Sequence, residues 1–389
     1  MRLVVVAPHP VSYQASYLRA LAAAPGIDLL VLSAPGSKSN SSAVDPGAAG
    51  ADPVERSVAL SFVPIEGLES TVTDPGEADA TSASEIRELL RGTKAEVLLL
   101  LGWCSRLAAQ LVRAARRLGM PVLLRAEVTD LSSHSIWTRL GDRRFLRRMA
   151  GVLSVGKASR RYCVASGVPS ARLFDALFAI DNSLFAAEAD RLRPQRNELR
   201  RAWQVPGDGF CILFAGKLQA KKRPLDLLDA LEQARRTRND LRLLVAGSGE
   251  LEPDLRERAK ERRLPVTFAG FLNQTEMPRA YAAADALVLP SDAGETWGLV
   301  VNEAMASGVP AVVSDRVGCR EDLVEDGVTG FSFPLGDTRA LAACLTSLAA
   351  DPIRAAAMGE AARQLVLSRY SIDRAVAGSV AALEKLLGR

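Results

Sequence analysis

Pro290-Ser291-Asp292-Ala293-Gly294-Glu295-Thr296-Trp297-Gly298-Leu299-Val300-Val301-Asn302-Glu303-Ala304-Met305-Ala306-Ser307-Gly308-Val309-Pro310 holds the end of a strand, a polar loop and the start of an amphipathic helix in one run. The apolar residues 286–289 before it read as the strand, and the helix is expected to begin near Trp297. The first turn of a helix leaves backbone N–H groups unpaired and presents the positive end of its dipole, a seat for phosphate. Gly298 lets a ligand approach the backbone closely. Glu295 precedes that turn and Glu303 lies about two turns inside, roughly 9 Å along the axis from Trp297. Carboxylates so placed can accept hydroxyl hydrogen bonds, one from a sugar and one from a ribose. On spacing alone, two acids flanking a helix start have the plainer reading of partners for the dipole.

Outward from this segment, short β-branched or leucine-rich runs alternate with longer amphipathic stretches, the pattern of an α/β protein with parallel sheets. Strands are expected at residues 3–7, 27–32, 58–63, 97–101, 122–124 and 151–155, and again at 211–215, 241–246, 266–269, 286–289 and 311–314. Leu107, Leu111, Ala115 and Leu118 mark one face of a helix between two of them. Residues 34–53, rich in Ser, Gly, Ala and Pro, and the polar residues 66–84 read as loops. The charged residues 186–208, with Pro194, Pro206 and Gly207, read as a linker. A length of 389 residues fits two cores. The expected domains are therefore 1–185 and 186–370, followed by a terminal helix in 371–389 that packs back on the first domain.

Composition narrows the function. Aromatic residues are only 5% of the chain, which argues against stacking platforms for single-stranded nucleic acid. The five cysteines are scattered without C-x-x-C spacing, as in a reduced cytoplasmic protein. Residues 3–7 are too short for a signal peptide, and no run reaches the length of a bilayer span, so any membrane contact is expected to be peripheral, on the cytoplasmic face. The net charge of +4 is unevenly placed: residues 101–185 carry 14 basic and 5 acidic side chains. Arg139, Arg143, Arg144, Arg147 and Arg148 cluster there around Phe145, Leu146 and Met149. The cluster reads first as a solvated helix face, and second as a contact with anionic lipid.

The 290–310 segment resembles the E-x7-E region of the family 4 retaining glycosyltransferases, which have the GT-B fold. The likeness continues through Ser314-Asp315-Arg316-Val317-Gly318-Cys319, Asp322-Leu323-Val324, Glu325-Asp326-Gly327-Val328-Thr329-Gly330-Phe331 and Pro334-Leu335-Gly336-Asp337, essentially the whole second domain. The resemblance implies two doubly wound, Rossmann-like domains facing a central cleft. It implies that Glu295 holds the donor sugar, Glu303 the ribose hydroxyls, and the amides near Thr296, Trp297, Gly298 and Leu299 the diphosphate or sugar. Cys319 stands where the family often has a second glycine, and Asp322 where a glutamate is common.

A second signal is Phe214-Ala215-Gly216-Lys217-Leu218-Gln219-Ala220-Lys221-Lys222-Arg223-Pro224, between a strand and a helix that Pro224 can start. Cations at a strand end can neutralise a departing diphosphate. The family has its G-R/K-L-x-x-x-K region here, which matches Lys217 and Lys222, whereas Lys221 and Arg223 read as surface residues. Gly247-Ser248-Gly249 is only a lone G-x-G, with Glu252 where a dinucleotide fingerprint needs its third glycine, so a dehydrogenase is excluded. In the family this loop lies beside the nucleotide, and the turn at Phe271 and Leu272 near its base.

The first domain carries weaker signals. His9 and Tyr13 follow the first strand, where many relatives have a glycine-rich loop that is missing here. Arg125, Glu127 and Asp130 occupy the place where many relatives carry a cleft histidine, Glu127 aligning with it approximately and reading as a catalytic or acceptor-side candidate. Arg125 and Glu127 equally suit a buried structural ion pair. His134 is a further acceptor-side candidate.

The expected activity is retaining transfer of a sugar from a nucleotide diphosphate to a hydroxyl acceptor: a glycan, a lipid-linked glycan or a small metabolite. No cofactor and no metal are expected, because no D-x-D sequence occurs in the chain and Lys217, Lys222 and a helix N-terminus can supply the positive potential. A nucleotide-sugar epimerase and a non-catalytic nucleotide-sugar-binding protein are the rival readings.

Overall fold

The computed structural model describes residues 1–7, 14–33, 83–102, 106–131 and 135–389. Among them run twelve strands: β1 (Arg2–Ala7), β2 (Asp28–Ser33), β3 (Val97–Leu101), β4 (Val122–Ala126), β5 (Gly151–Ser154), β6 (Leu173–Asp175), β7 (Phe210–Ala215), β8 (Leu241–Ala246), β9 (Val266–Gly270), β10 (Ala286–Leu289), β11 (Ala311–Ser314) and β12 (Gly330–Phe333). They form two six-stranded sheets, ordered β2-β1-β3-β4-β5-β6 and β12-β11-β10-β7-β8-β9. Every neighbouring pair is parallel. Parallel strands joined by helices are covered on both faces, so runs such as Val97–Leu101 and Phe210–Ala215 are buried at every position and apolar throughout. The chain thus adopts the expected α/β class with two doubly wound sheets. They lie in two compact units, Met1–Leu177 with Ile372–Arg389, and Phe178–Ser371.

In the first unit the terminal helix Ile372–Leu387 is fixed by contacts of its small residues. Tyr17 Oη and Ser379 Oγ are hydrogen-bonded at 2.8 Å in a buried position. Gly378 lies so close to β6 that a Cβ there would stand 1.8 Å from the Asp175 carbonyl oxygen.

Several expectations need correction. Residues 186–208, read as a linker, are largely helical, within Asn182–Leu192, the 3-10 turn Arg193–Gln195 and Arg196–Ala202. Pro194 falls in the first positions of that turn, where its missing N–H is not needed. Charged residues of this segment form a clamp. Arg196 Nη2 meets one Asp285 oxygen at 2.6 Å, and Arg200, itself buried, pairs with the other while donating to Ala283 O at 3.0 Å. The strands β6 and β12 are not among the expected ones, because these short edge strands contain Asp175 and Ser332 and lack a continuous apolar run. The expected strand 58–63 and the loop 34–53 lie outside the described residues, as does all of 66–84 except its last two residues, which open the helix Ala83–Thr93.

Candidate functional site

In the second sheet, successive strands move outward from β7 through β8 to β9, and outward from β10 through β11 to β12. β7 and β10 are neighbours, so the loops leaving their C-terminal ends diverge there and open a crevice, the usual ligand position in such sheets. Those loops are the two segments singled out in the sequence.

The β7 loop is tied to the β10 loop by its backbone, Asp292 N donating to Lys221 O at 2.9 Å. Lys222, closing the 3-10 turn Ala220–Lys222, forms an ion pair with the Glu295 carboxylate, and both side chains are largely shielded from solvent. Its ammonium lies beside Gly216, where a Cβ would come within 3.9 Å of Nζ. Gly216, Lys222 and Glu295 are therefore brought together. Lys217, in the same loop, is exposed and has no ion-pair partner among the described residues.

Gly247 and Gly249 have a packing role. A Cβ on Gly247 would stand 2.0 Å from the Gly216 carbonyl oxygen, and one on Gly249 2.5 Å from that of Leu218. The β8 loop thus rests directly on the β7 loop, and Gly247 N donates to Gly270 O at 2.7 Å, linking the β9 end as well. Beyond Gly270, Phe271 is 68% exposed and Leu272 half-buried. An aromatic ring left open at the C-terminal end of a strand is available for stacking, which ordinary core packing does not explain.

The helix of the β10 segment runs Leu299–Ala306, so it begins two residues later than expected and Glu303 lies one turn inside rather than two. Gly298 sets that start: its φ of 95° is left-handed, outside the helical region. Among the described residues, the amides of Gly298, Leu299 and Val300 donate to no carbonyl. The turn itself is braced from behind, Gly318 N donating to Glu295 O and Cys319 N to Trp297 O, each at 3.0 Å. A Cβ on Gly318 would fall 1.8 Å from Thr296 O, so only glycine permits this bracing.

Trp297 is 3% exposed, its ring 5.4 Å from Phe178 and 6.2 Å from Tyr370, and its Nε1 donates to Asn302 Oδ1 at 2.7 Å. Its indole anchors the turn, and what it can offer a ligand is its backbone amide. Thr296, next to it, is exposed. Glu303 is held from the helix Met277–Ala283: Tyr281 Oη donates to Glu303 Oε2 at 2.6 Å. Although Glu303 keeps a half-buried surface, its carboxylate is densely surrounded by protein. That burial raises its pKa from the ordinary 4.5 to about 7, while the tyrosine hydrogen bond pulls the other way.

In the first unit, Arg125 at the end of β4 is buried, lies over the Tyr17 ring at 4.5 Å and meets Glu127 at 3.5 Å. Gln14 Nε2 donates to the same Glu127 oxygen at 3.1 Å. Asp130 is exposed and gripped by both ends of the Arg161 guanidinium, at 2.8 and 3.1 Å. His9, Tyr13 and His134 lie outside the described residues.

Sequence reasoning missed Tyr281, Gln14 and the role of Gly318. Tyr281 had a signal: it is the one polar side chain in the run Ala280–Ala284, and a buried tyrosine hydroxyl needs a partner.

Two family models match, the glycosyl transferase 4-like domain over residues 10–174 and the glycosyl transferases group 1 over residues 195–365. The chain is 31% identical over 270 residues to the GDP-mannose-dependent alpha-(1-6)-phosphatidylinositol monomannoside mannosyltransferase of Mycolicibacterium smegmatis, covering 66% of this chain and 68% of that protein. It is 37% identical over 161 residues to the glycogen synthase of Mycobacterium tuberculosis, covering 41% of this chain but only 38% of the synthase's length. Among solved structures, Anabaena Alr3699/HepE in complex with UDP is similar with a TM-score of 0.73 at 18% identity, covering 99% of this chain and 100% of that one.

Proposed function

Since the chain belongs to the family 4-type glycosyltransferases of GT-B fold, we propose that it moves a sugar from a nucleotide-diphosphate sugar to a hydroxyl acceptor, with retention of anomeric configuration and without a divalent ion. The observation that carries this reading is the Lys222–Glu295 pair beside the open amides of Gly298, Leu299 and Val300. An ammonium and a helix N-terminus stand at one end of a sheet crevice, where a diphosphate can be held between them.

In the proposed reaction the bond between the sugar's anomeric carbon and the diphosphate oxygen breaks, and negative charge grows on that oxygen. Lys222 and the amides stabilise the charge, with Lys217 as the second, solvent-side cation. Glu295, released from Lys222 as phosphate takes its place, accepts from sugar hydroxyls, and Glu303 accepts from the ribose with the oxygen that Tyr281 leaves open. The acceptor hydroxyl attacks from the leaving-group side and gives its proton to the departing phosphate, which preserves configuration. Exposed Phe271 is the proposed platform for the base. Glu127 and Arg125, and the acceptor-side residues around them, are the proposed contacts for a glycan, lipid-linked or small-molecule acceptor. The relative named for phosphatidylinositol monomannoside favours the lipid-linked class for a first screen.

Incubation with a panel of nucleotide sugars and acceptor alcohols, followed by NMR of the product's anomeric proton, tests the reading. The expected product keeps the donor's configuration, and excess EDTA changes the rate by no more than about twofold, since no metal Lewis acid is used. An inverted product would refute retention. Loss of activity in EDTA with recovery in magnesium would refute the metal-free route, and an altered nucleotide sugar without transfer would point to an epimerase.

A further inference from the structure

The arginine cluster noted in the sequence sits on the helix Ile136–Leu146 and the two residues after it. The apolar residues first associated with it point inward: Leu146 and Met149 are buried in the core of the first unit, with Phe145 packed against them. The apolar surface lies elsewhere. Ile136 is 74% exposed, Trp137 82% and Leu140 47%, all in the first half of the helix. Ile136, Leu140, Arg143 and Arg147 follow one another at intervals of three and four residues, as do Trp137, Leu140, Arg144 and Arg148, so they share one helix face. Its single acid, Asp142, is turned to the other side, where it accepts the Tyr162 hydroxyl. None of Arg139, Arg143, Arg144, Arg147 and Arg148 has an ion-pair partner among the described residues. At the end of this face Arg147 and Arg148 join Arg116 and Arg172 around a concavity of about 540 Å³.

We infer that this face seats the chain on an anionic phospholipid surface. An indole and two aliphatic side chains left in water gain by entering the headgroup–acyl boundary, where tryptophan is favoured. Unpaired arginines continuing the same face meet the negative surface potential, and the four-arginine concavity suits a headgroup phosphate. Apolar and basic residues on one face, with the only acid turned away, fit this partner better than a solvated helix face, which accounts for the arginines but leaves Trp137 and Ile136 exposed without reason. Among the described residues no single helix is long and apolar enough to cross a membrane, so the contact is an interfacial one.

Co-sedimentation of the full chain with vesicles tests this. Binding is expected to mixed phosphatidylglycerol–phosphatidylcholine vesicles, to weaken with added salt, and to be absent from pure phosphatidylcholine. Arg143→Gln with Arg144→Gln should weaken it by about fivefold per arginine removed. Ile136→Ser with Trp137→Ser should weaken it while leaving the salt dependence in place. All four positions are exposed, so the melting temperature should hold; if the apolar pair unfolds the chain, the arginine pair decides alone. Equal binding to neutral vesicles, no binding to anionic ones, or variants that bind like the parent would overturn the inference.

Discussion

Lys222→Ala is expected to lower kcat for sugar transfer by about a hundredfold or more, the ~3 kcal/mol that one preorganised contact to developing charge contributes. The reason lies in where the ammonium is held. It is shielded from bulk water between Gly216 and Glu295, so its field is weakly screened, and its partner Glu295 directly precedes a turn whose amides donate to no carbonyl among the described residues. In the proposed reaction donor phosphate replaces the Glu295 carboxylate as its partner, and the interaction strengthens as charge accumulates on the leaving oxygen. Alanine also leaves Glu295 without its cation, so the melting temperature should be read beside kcat at saturating donor. A folded variant with near-normal turnover would remove Lys222 from the chemistry. Lys217, exposed and unshielded, should give a much smaller effect when replaced.

Glu303→Gln is expected to stabilise the ligand-free protein above pH 7 and to weaken donor binding in the same range. Burial lifts the Glu303 carboxyl to about 7 in the folded chain, against 4.5 for an ordinary one. At pH below 4.5 the group is protonated in both folded and unfolded chains. The contribution of the protonated group is full there, falls between 4.5 and 7 while only the folded state keeps the proton, and is gone once pH has risen through 7. Glutamine never carries the charge, so its advantage in melting temperature should be present at pH 8 and absent at pH 4. In the proposed site donor binding responds oppositely, because an ionised carboxylate is the better acceptor for ribose hydroxyls. Losing such charged hydrogen bonds should cost about 1.5–3 kcal/mol, or roughly ten- to hundredfold in Kd, at pH 8. That deficit should shrink as pH falls below 7 and the parent itself takes up a proton. A variant whose stability and affinity track the parent at every pH would show that Glu303 is neither charged nor in contact with the donor.

Both predictions rest on features that were legible in the sequence to different degrees. The central strands were plain because residues such as Val97–Leu101 must be apolar at every position to be covered on both faces. β6 and β12 were not, because short edge strands containing Asp175 or Ser332 have no such run. Charge misled twice. Arg196 and Arg200 read as part of a charged linker, whereas two charges that share a single carboxylate, Asp285, can be drawn into a helix interface. The arginines after Arg139 were grouped with their sequence neighbours Phe145 and Leu146, although the helical repeat puts them beside Ile136, Trp137 and Leu140. In the candidate site, Lys222, Glu295 and Glu303 stand out through the family resemblance, since on spacing alone the two acids read as partners of a helix dipole. The ion pair between the first two joins residues 73 positions apart and follows only from the strand order that makes β7 and β10 neighbours.

The most direct test of the account is a crystal structure of the chain with a nucleoside diphosphate bound. The account predicts a phosphate within hydrogen-bond reach, about 3 Å, of both Lys222 Nζ and at least one of the amides of Gly298, Leu299 and Val300, with Lys222 drawn off Glu295. Phosphates bound elsewhere, with Lys222 still on Glu295 and those amides open, would contradict it.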